Sequence, residues 1–102
     1  MKMDMRVGTI LSAEEFKEAR NPSYKMVIDF GKLGTRKTSA QITDLYDCKD
    51  VVGRQVIAVV NFPPKQIATM MSNCLVLGAV GEDKSVTLLS TERKVENGTR
   101  IG

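Results

Sequence analysis

The apolar positions of this chain fall in short runs separated by turn residues, which is the pattern of a protein built from strands. Residues 5–11, Met5-Arg6-Val7-Gly8-Thr9-Ile10-Leu11, alternate loosely and predict a first strand, with Gly8 expected at a bend or bulge. The charged segment 14–20 reads as a helical turn, and Asn21-Pro22-Ser23 reads as a reverse turn. A second strand is expected over 24–30, where Met26, Ile28 and Phe30 share one parity while Lys25 and Asp29 share the other. Gly31-Lys32-Leu33-Gly34 closes it as a hairpin loop onto a third strand over 36–42. There Ala40 and Ile42 can face a core, which leaves Lys37, Ser39 and Gln41 in a row on the opposite face.

Capping residues and apolar pairs over 43–53, ended by Gly53, predict one or two short helical turns. Two runs then dominate the pattern, Val56-Ile57-Ala58-Val59-Val60 and Cys74-Leu75-Val76-Leu77-Gly78-Ala79-Val80. Both are apolar at both parities, so both are expected as strands buried on two faces. Asn61 breaks the first run, and Pro63-Pro64 offer no backbone N–H to a neighbouring strand. The chain is therefore expected to leave the sheet in a rigid loop carrying Asn61, Lys65 and Gln66, a natural seat for a ligand. A sixth strand is expected over 85–90, and Asn97-Gly98 is a strong turn signal before Thr99-Arg100-Ile101. Three strands, a short helix and further strands make an all-β barrel, with the OB arrangement one of several small-barrel options.

With 102 residues the chain can bury a core of its own yet is small enough to gain from dimerisation. Its net charge is +3, with Arg20, Lys25, Lys32, Arg36 and Lys37 set against Asp29 alone over 20–37. A basic side favours an anionic partner such as nucleic acid, although solvated lysines on loops produce the same run. The polar row on the third strand is open to the same two readings, recognition or the wet face of an antiparallel strand.

Histidine is absent, which removes the usual general base, the Ser-His and Cys-His nucleophiles, and most transition-metal sites. Cys48 and Cys74 are too far apart for a CxxC pair and are expected as free thiols. The loop from Gly31 to Thr38 fails the phosphate-loop spacing at Arg36, and Glu14-Glu15 and Glu82-Asp83 lie in charged turns. No catalytic role, metal or cofactor is expected. The apolar runs are too short to span a bilayer and no signal peptide opens the chain, so a cytoplasmic protein without membrane insertion is expected.

Several of these segments together resemble a known family. Asp4-Met5-Arg6-Val7-Gly8-Thr9-Ile10, Ile28-Asp29-Phe30-Gly31, Ser39-Ala40-Gln41-Ile42, Asn61-Phe62-Pro63-Pro64-Lys65-Gln66-Ile67, Met71-Ser72-Asn73-Cys74-Leu75-Val76-Leu77-Gly78 and Asn97-Gly98-Thr99-Arg100-Ile101 follow in the order of the tRNA-binding domain family. That family places an OB fold beside some methionyl- and phenylalanyl-tRNA synthetases and in the endothelial monocyte-activating polypeptide II group. Ser39-Ala40-Gln41-Ile42-Thr43-Asp44-Leu45-Tyr46 and the diproline element are similar to its free-standing, CsaA-like branch. The tRNA-binding relatives usually carry Ser-Glu-Gly-Met where this chain has Ser72-Asn73-Cys74-Leu75.

The resemblance implies a single domain over 1–102, a five-stranded Greek-key OB barrel with a short helix between strands three and four. It also implies terminal segments, around 1–5 and 95–102, that join a homodimer. It further implies an export-related chaperone holding unfolded preproteins, a binder of tRNA or other structured RNA, or both; an accessory subunit of an aminoacyl-tRNA synthetase is the alternative. Candidate contacts to RNA or peptide are Lys37, Ser39, Gln41, Asn61, Lys65, Gln66 and Ser72. Ile67, Met70 and Met71 are the candidates for an apolar groove, because methionines adapt to varied partners. Exposed rings on which bases could stack are few, so RNA binding would lean on phosphate contacts and weaken with salt.

Overall fold

A computed structural model describes residues 2–102. Strands β1 (Met5–Glu15), β2 (Tyr24–Asp29), β3 (Thr35–Ala40), β4 (Gln55–Val59) and β7 (Leu75–Val76) form an antiparallel sheet in the order β3-β2-β1-β4-β7. β1 is long enough to serve two neighbours, its first half pairing with β4 and its second with β2. Between Ile10 and Ser12 its register slips, leaving Leu11 without a partner, and a bulge of this kind bends a strand.

The bulge therefore falls three residues after Gly8, the position where the pattern suggested it. Gly8 has a packing reason instead: a Cβ there would stand 2.6 Å from Ile28 and 2.7 Å from Phe30. Phe30, fully buried, needs that space at the centre of the core with Ile10, Met26, Ile28 and Val56.

The sheet curls until its outer members approach. Thr38 on β3 donates its hydroxyl to the Cys74 carbonyl at 2.8 Å, and the Asn73 amide donates to the Lys37 carbonyl at 2.8 Å. Arg36 crosses the same gap and donates to the Val60 carbonyl at 2.9 Å. The result is a nearly closed five-stranded barrel of the OB type. Helix α1 (Cys48–Val51) lies between β3 and β4, with Val51 buried and Gly53 in the left-handed region at φ +90°.

Two hairpins stand on this barrel, β5 (Lys65–Ile67) with β6 (Met70–Ser72), and β8 (Gly78–Val80) with β9 (Val86–Leu88). The last residues return to the edge of β1 that β2 leaves free, where Val7 donates to Thr99 and Ile101 to Met5. The Asn97-Gly98 turn makes that return, with Gly98 at φ +91°.

Three expectations are corrected. Glu14 and Glu15 extend β1 rather than start a helical turn, because they find cross-strand partners in Lys25 and Tyr24. Lys65 and Gln66 lie on β5 rather than in a loop. The run 74–80 is not buried on both faces: it divides at Leu77, and Leu75 and Val80 stay 51% and 71% exposed. Phe62 is half-buried, since the chain has already left the barrel at Asn61.

Candidate binding site

The β5–β6 ribbon sets the site, because its register sorts the candidate side chains by face. Lys65 opposes Ser72 and Ile67 opposes Met70, while Gln66 opposes Met71 on the other side. Alternation across a strand thus sends Gln66 and Met71 to the exposed face, where the Gln66 amide donates to the Ala68 carbonyl at 2.7 Å. The opposite face of the ribbon separates two clefts.

The larger cleft has a volume of about 590 Å³. Ser39 and Gln41 from β3 and the segment after it form one lip, and Lys65, Ile67 and Ser72 from the ribbon form the other. Its floor is apolar, built from Phe62, Leu75, Val76, Val80, Val86 and Leu88. Arg20 and Asn21, in the connection between β1 and β2, stand at the mouth. Such a groove can take an extended apolar segment along its floor while polar groups at the lips meet the segment's backbone. Lys65 and Arg20 add positive charge there.

The smaller cleft, about 340 Å³, lies on the outer face of β1, β2 and β3, with Thr69 and Met70 of the ribbon beside it. Lys37 lines this cleft and not the larger one, although it shares a row with Ser39 and Gln41. Lys25, in the same cleft, is 3.4 Å from Glu14 and stands 5.5 Å over the Phe16 ring.

Two candidate side chains are committed within the chain. Asn61 accepts from the Asp4 amide at 2.8 Å and donates to the Lys2 carbonyl at 2.7 Å, so it holds the N-terminal segment on the barrel. Ser72 is buried, with its one hydroxyl proton placed between two acceptors, the Thr38 hydroxyl and the Cys74 carbonyl, each at 3.2 Å. Both polar groups are satisfied where they are. No buried side-chain nitrogen or oxygen among the described residues lacks a partner.

The floor residues Leu75, Val80, Val86 and Leu88 escaped the sequence reading. A run such as 74–80 is identical in sequence whether its outer face is covered or open, and only its place at the edge of the sheet decides this. Arg20 and Asn21 read as turn residues, with nothing in the pattern to place them beside Gln41.

Among the described residues no cluster of three metal-ligating side chains occurs, and no helix is long and apolar enough to cross a membrane. Cys48 and Cys74 are free thiols. Burial pushes the Cys48 thiol up, and the nearby Glu15 and Asp47 carboxylates add to it, which disfavours the reactive thiolate.

Comparison with known proteins matches this geometry to a family. The family model described as "Putative tRNA binding domain" matches residues 5–100. The structure of chaperone CsaA from Bacillus anthracis is 51% identical and superposes with a TM-score of 0.94, over 98% of this chain and 91% of that one. CsaA chaperone protein from Picrophilus torridus is 47% identical with a TM-score of 0.93, over 99% and 92% of the two chains. The methionine–tRNA ligase of Methanococcoides burtonii is 32% identical over 98% of this chain, which spans only 14% of that enzyme's length.

Proposed function

Because this chain belongs to the tRNA-binding domain family, CsaA-like branch, we propose that it is a non-catalytic binding protein that holds extended apolar segments of unfolded, export-bound polypeptides. The observation that carries this reading is the larger groove, with its apolar floor and the polar and basic lips of Ser39, Gln41, Lys65 and Arg20. Leu75 and Val80 are exposed on that floor, and apolar surface left open to water is stabilised by an apolar partner. Ile67 adds to the same wall. Binding needs no nucleotide.

The test is aggregation of an unfolded client. Excess protein is expected to suppress it without ATP, and Leu75→Asp is expected to abolish most of that effect. An unchanged aggregation curve at excess wild-type protein rejects the reading.

A second reading is favoured by the family and by the smaller cleft: the outer face of β1–β3 binds tRNA or another structured RNA. Lys37 would meet phosphate there, beside Lys25, with Ser12 and Thr69 supplying polar contacts nearby. Binding through phosphate contacts weakens steeply as salt rises. Affinity for tRNA that does not change with salt counts against it.

The protomer is also read as half of a homodimer, in the cytoplasm, joined through its terminal segments. Met3 supports this, since it is 72% exposed on a segment that Asn61 holds in place. A synthetase partner that docks on the same segments is the alternative assembly.

A further inference from the structure

We propose that the smaller cleft selects one unstacked guanine of a bound RNA strand; the inference rests on the RNA-binding reading above and gives it a base preference. The register lays out the cleft as a grid. Ser12 on β1 opposes Val27 on β2, which opposes Lys37 on β3; Glu14 opposes Lys25, whose own partner on β3, Ser39, stands at the lip of the larger groove. Two residues on each of β1 and β2, with Lys37 on β3, give a patch of roughly 10 by 7 Å, the dimensions of a single base. Proteins read sequence in RNA mainly at unstacked bases, through their Watson–Crick edges.

The chemistry of the grid is specific. Glu14 offers two carboxylate oxygens, and the Lys25 ammonium stands 3.4 Å from one of them. Guanine presents two adjacent donors, N1–H and the 2-amino group, beside the O6 acceptor. Its donors meet both carboxylate oxygens while O6 faces the ammonium. On that edge uracil sets its one donor between two acceptors, and adenine and cytosine set their amino group next to an acceptor. Any of them would turn a lone pair toward one carboxylate oxygen, so that only one of the two hydrogen bonds forms and the other oxygen meets an acceptor.

The remaining groups suit the same ligand. Val27 and Met70 are half-buried and line the cleft, offering apolar and polarizable surface to the faces of a base where no fully exposed ring occurs among the described residues. Lys25 is steadied by the Phe16 ring at 5.5 Å. Lys37 is exposed and, among the described residues, has no carboxylate within ion-pair distance, so it is free to meet a flanking phosphate. Glu14 itself repels phosphate, which explains an acid on a basic face: it admits a base edge and turns the backbone away.

The test is fluorescence anisotropy at fixed salt with short oligouridine strands carrying one central guanine, inosine, adenine or cytosine. The guanine strand is expected to bind about 10-fold more tightly than the adenine strand, the scale of one bidentate base contact. Inosine, which lacks the 2-amino group, is expected to lose most of that advantage. Glu14→Gln is expected to bring the strands to parity, whereas Lys37→Ala weakens all of them together. Strands that bind equally well to wild-type protein, or a guanine preference that survives Glu14→Gln, overturn the inference and leave the RNA-binding reading standing. Absence of binding to every strand and to tRNA removes that reading and the inference together.

Discussion

Thr38 and Cys74 meet where the barrel closes, and their chemistry there can be measured. Burial pushes the Cys74 thiol up to about 11 from 9.0, against the opposing effects of the Thr38 hydrogen bond and the Arg36 charge. An unfolded chain loses that proton near its ordinary value while the folded chain keeps it, so folding binds protons across this window. Stability from this group is complete below pH 9.0 and falls as pH rises toward about 11. Burial raises the Tyr24 hydroxyl as well, with the same sign at higher pH. We expect urea midpoints to fall between about pH 8 and about pH 10.5, with a shallower fall in Cys74→Ala. Equal slopes in the two proteins would show that the Cys74 thiol titrates alike in the folded and the unfolded chain. Asp83 works in the opposite direction: hydrogen bonds from Ser85 lower its carboxyl, so its contribution is present above the ordinary carboxylate range and is lost on acidification.

At the scale of elements, the hairpin of β5 and β6 decides the site. Its two-residue connection places Ala68 in the left-handed region at φ +49°, a conformation that costs an L residue with a Cβ about 1 kcal/mol. Ala68→Gly is expected to raise unfolding stability by about 0.5–1 kcal/mol, read as a higher urea midpoint at constant slope. The register it fixes keeps Lys65 and Ile67 toward the larger groove and Gln66 and Met71 away from it. A slip by one residue would exchange those sets. The diproline that precedes the hairpin was legible as the end of a central strand, because proline lacks the donor a ladder needs. That the chain immediately forms a second ribbon was not, since three-residue strands carry too little periodicity to be read.

The whole molecule brings both chain ends onto one barrel. Residues 99–101 pair with β1, and Asn61 holds Lys2 and Asp4 on the same barrel. With the ends fixed, the exposed Met3 lies on an ordered surface rather than on a loose tail. Light scattering of the purified chain is expected to give twice its 11.2 kDa, and Met3→Glu is expected to shift the population toward the monomer. A wild-type protein of 11.2 kDa at high concentration would reject the dimer.

Sequence by itself determined the strands of the barrel, the helix before β4 and the exclusion of histidine chemistry, because parity, turn residues and composition are local properties. The core followed from the same rule, as Met26, Ile28 and Phe30 on one parity of β2 show. Tertiary structure alone decided which apolar residues stay open and which polar ones are used up. Leu75 and Val80 form a groove floor because no strand among the described residues covers them, while Ser72 and Asn61 are tied to groups distant in sequence. Burial and hydrogen bonding depend on what lies across space, and one-dimensional order carries no record of that until the barrel has closed.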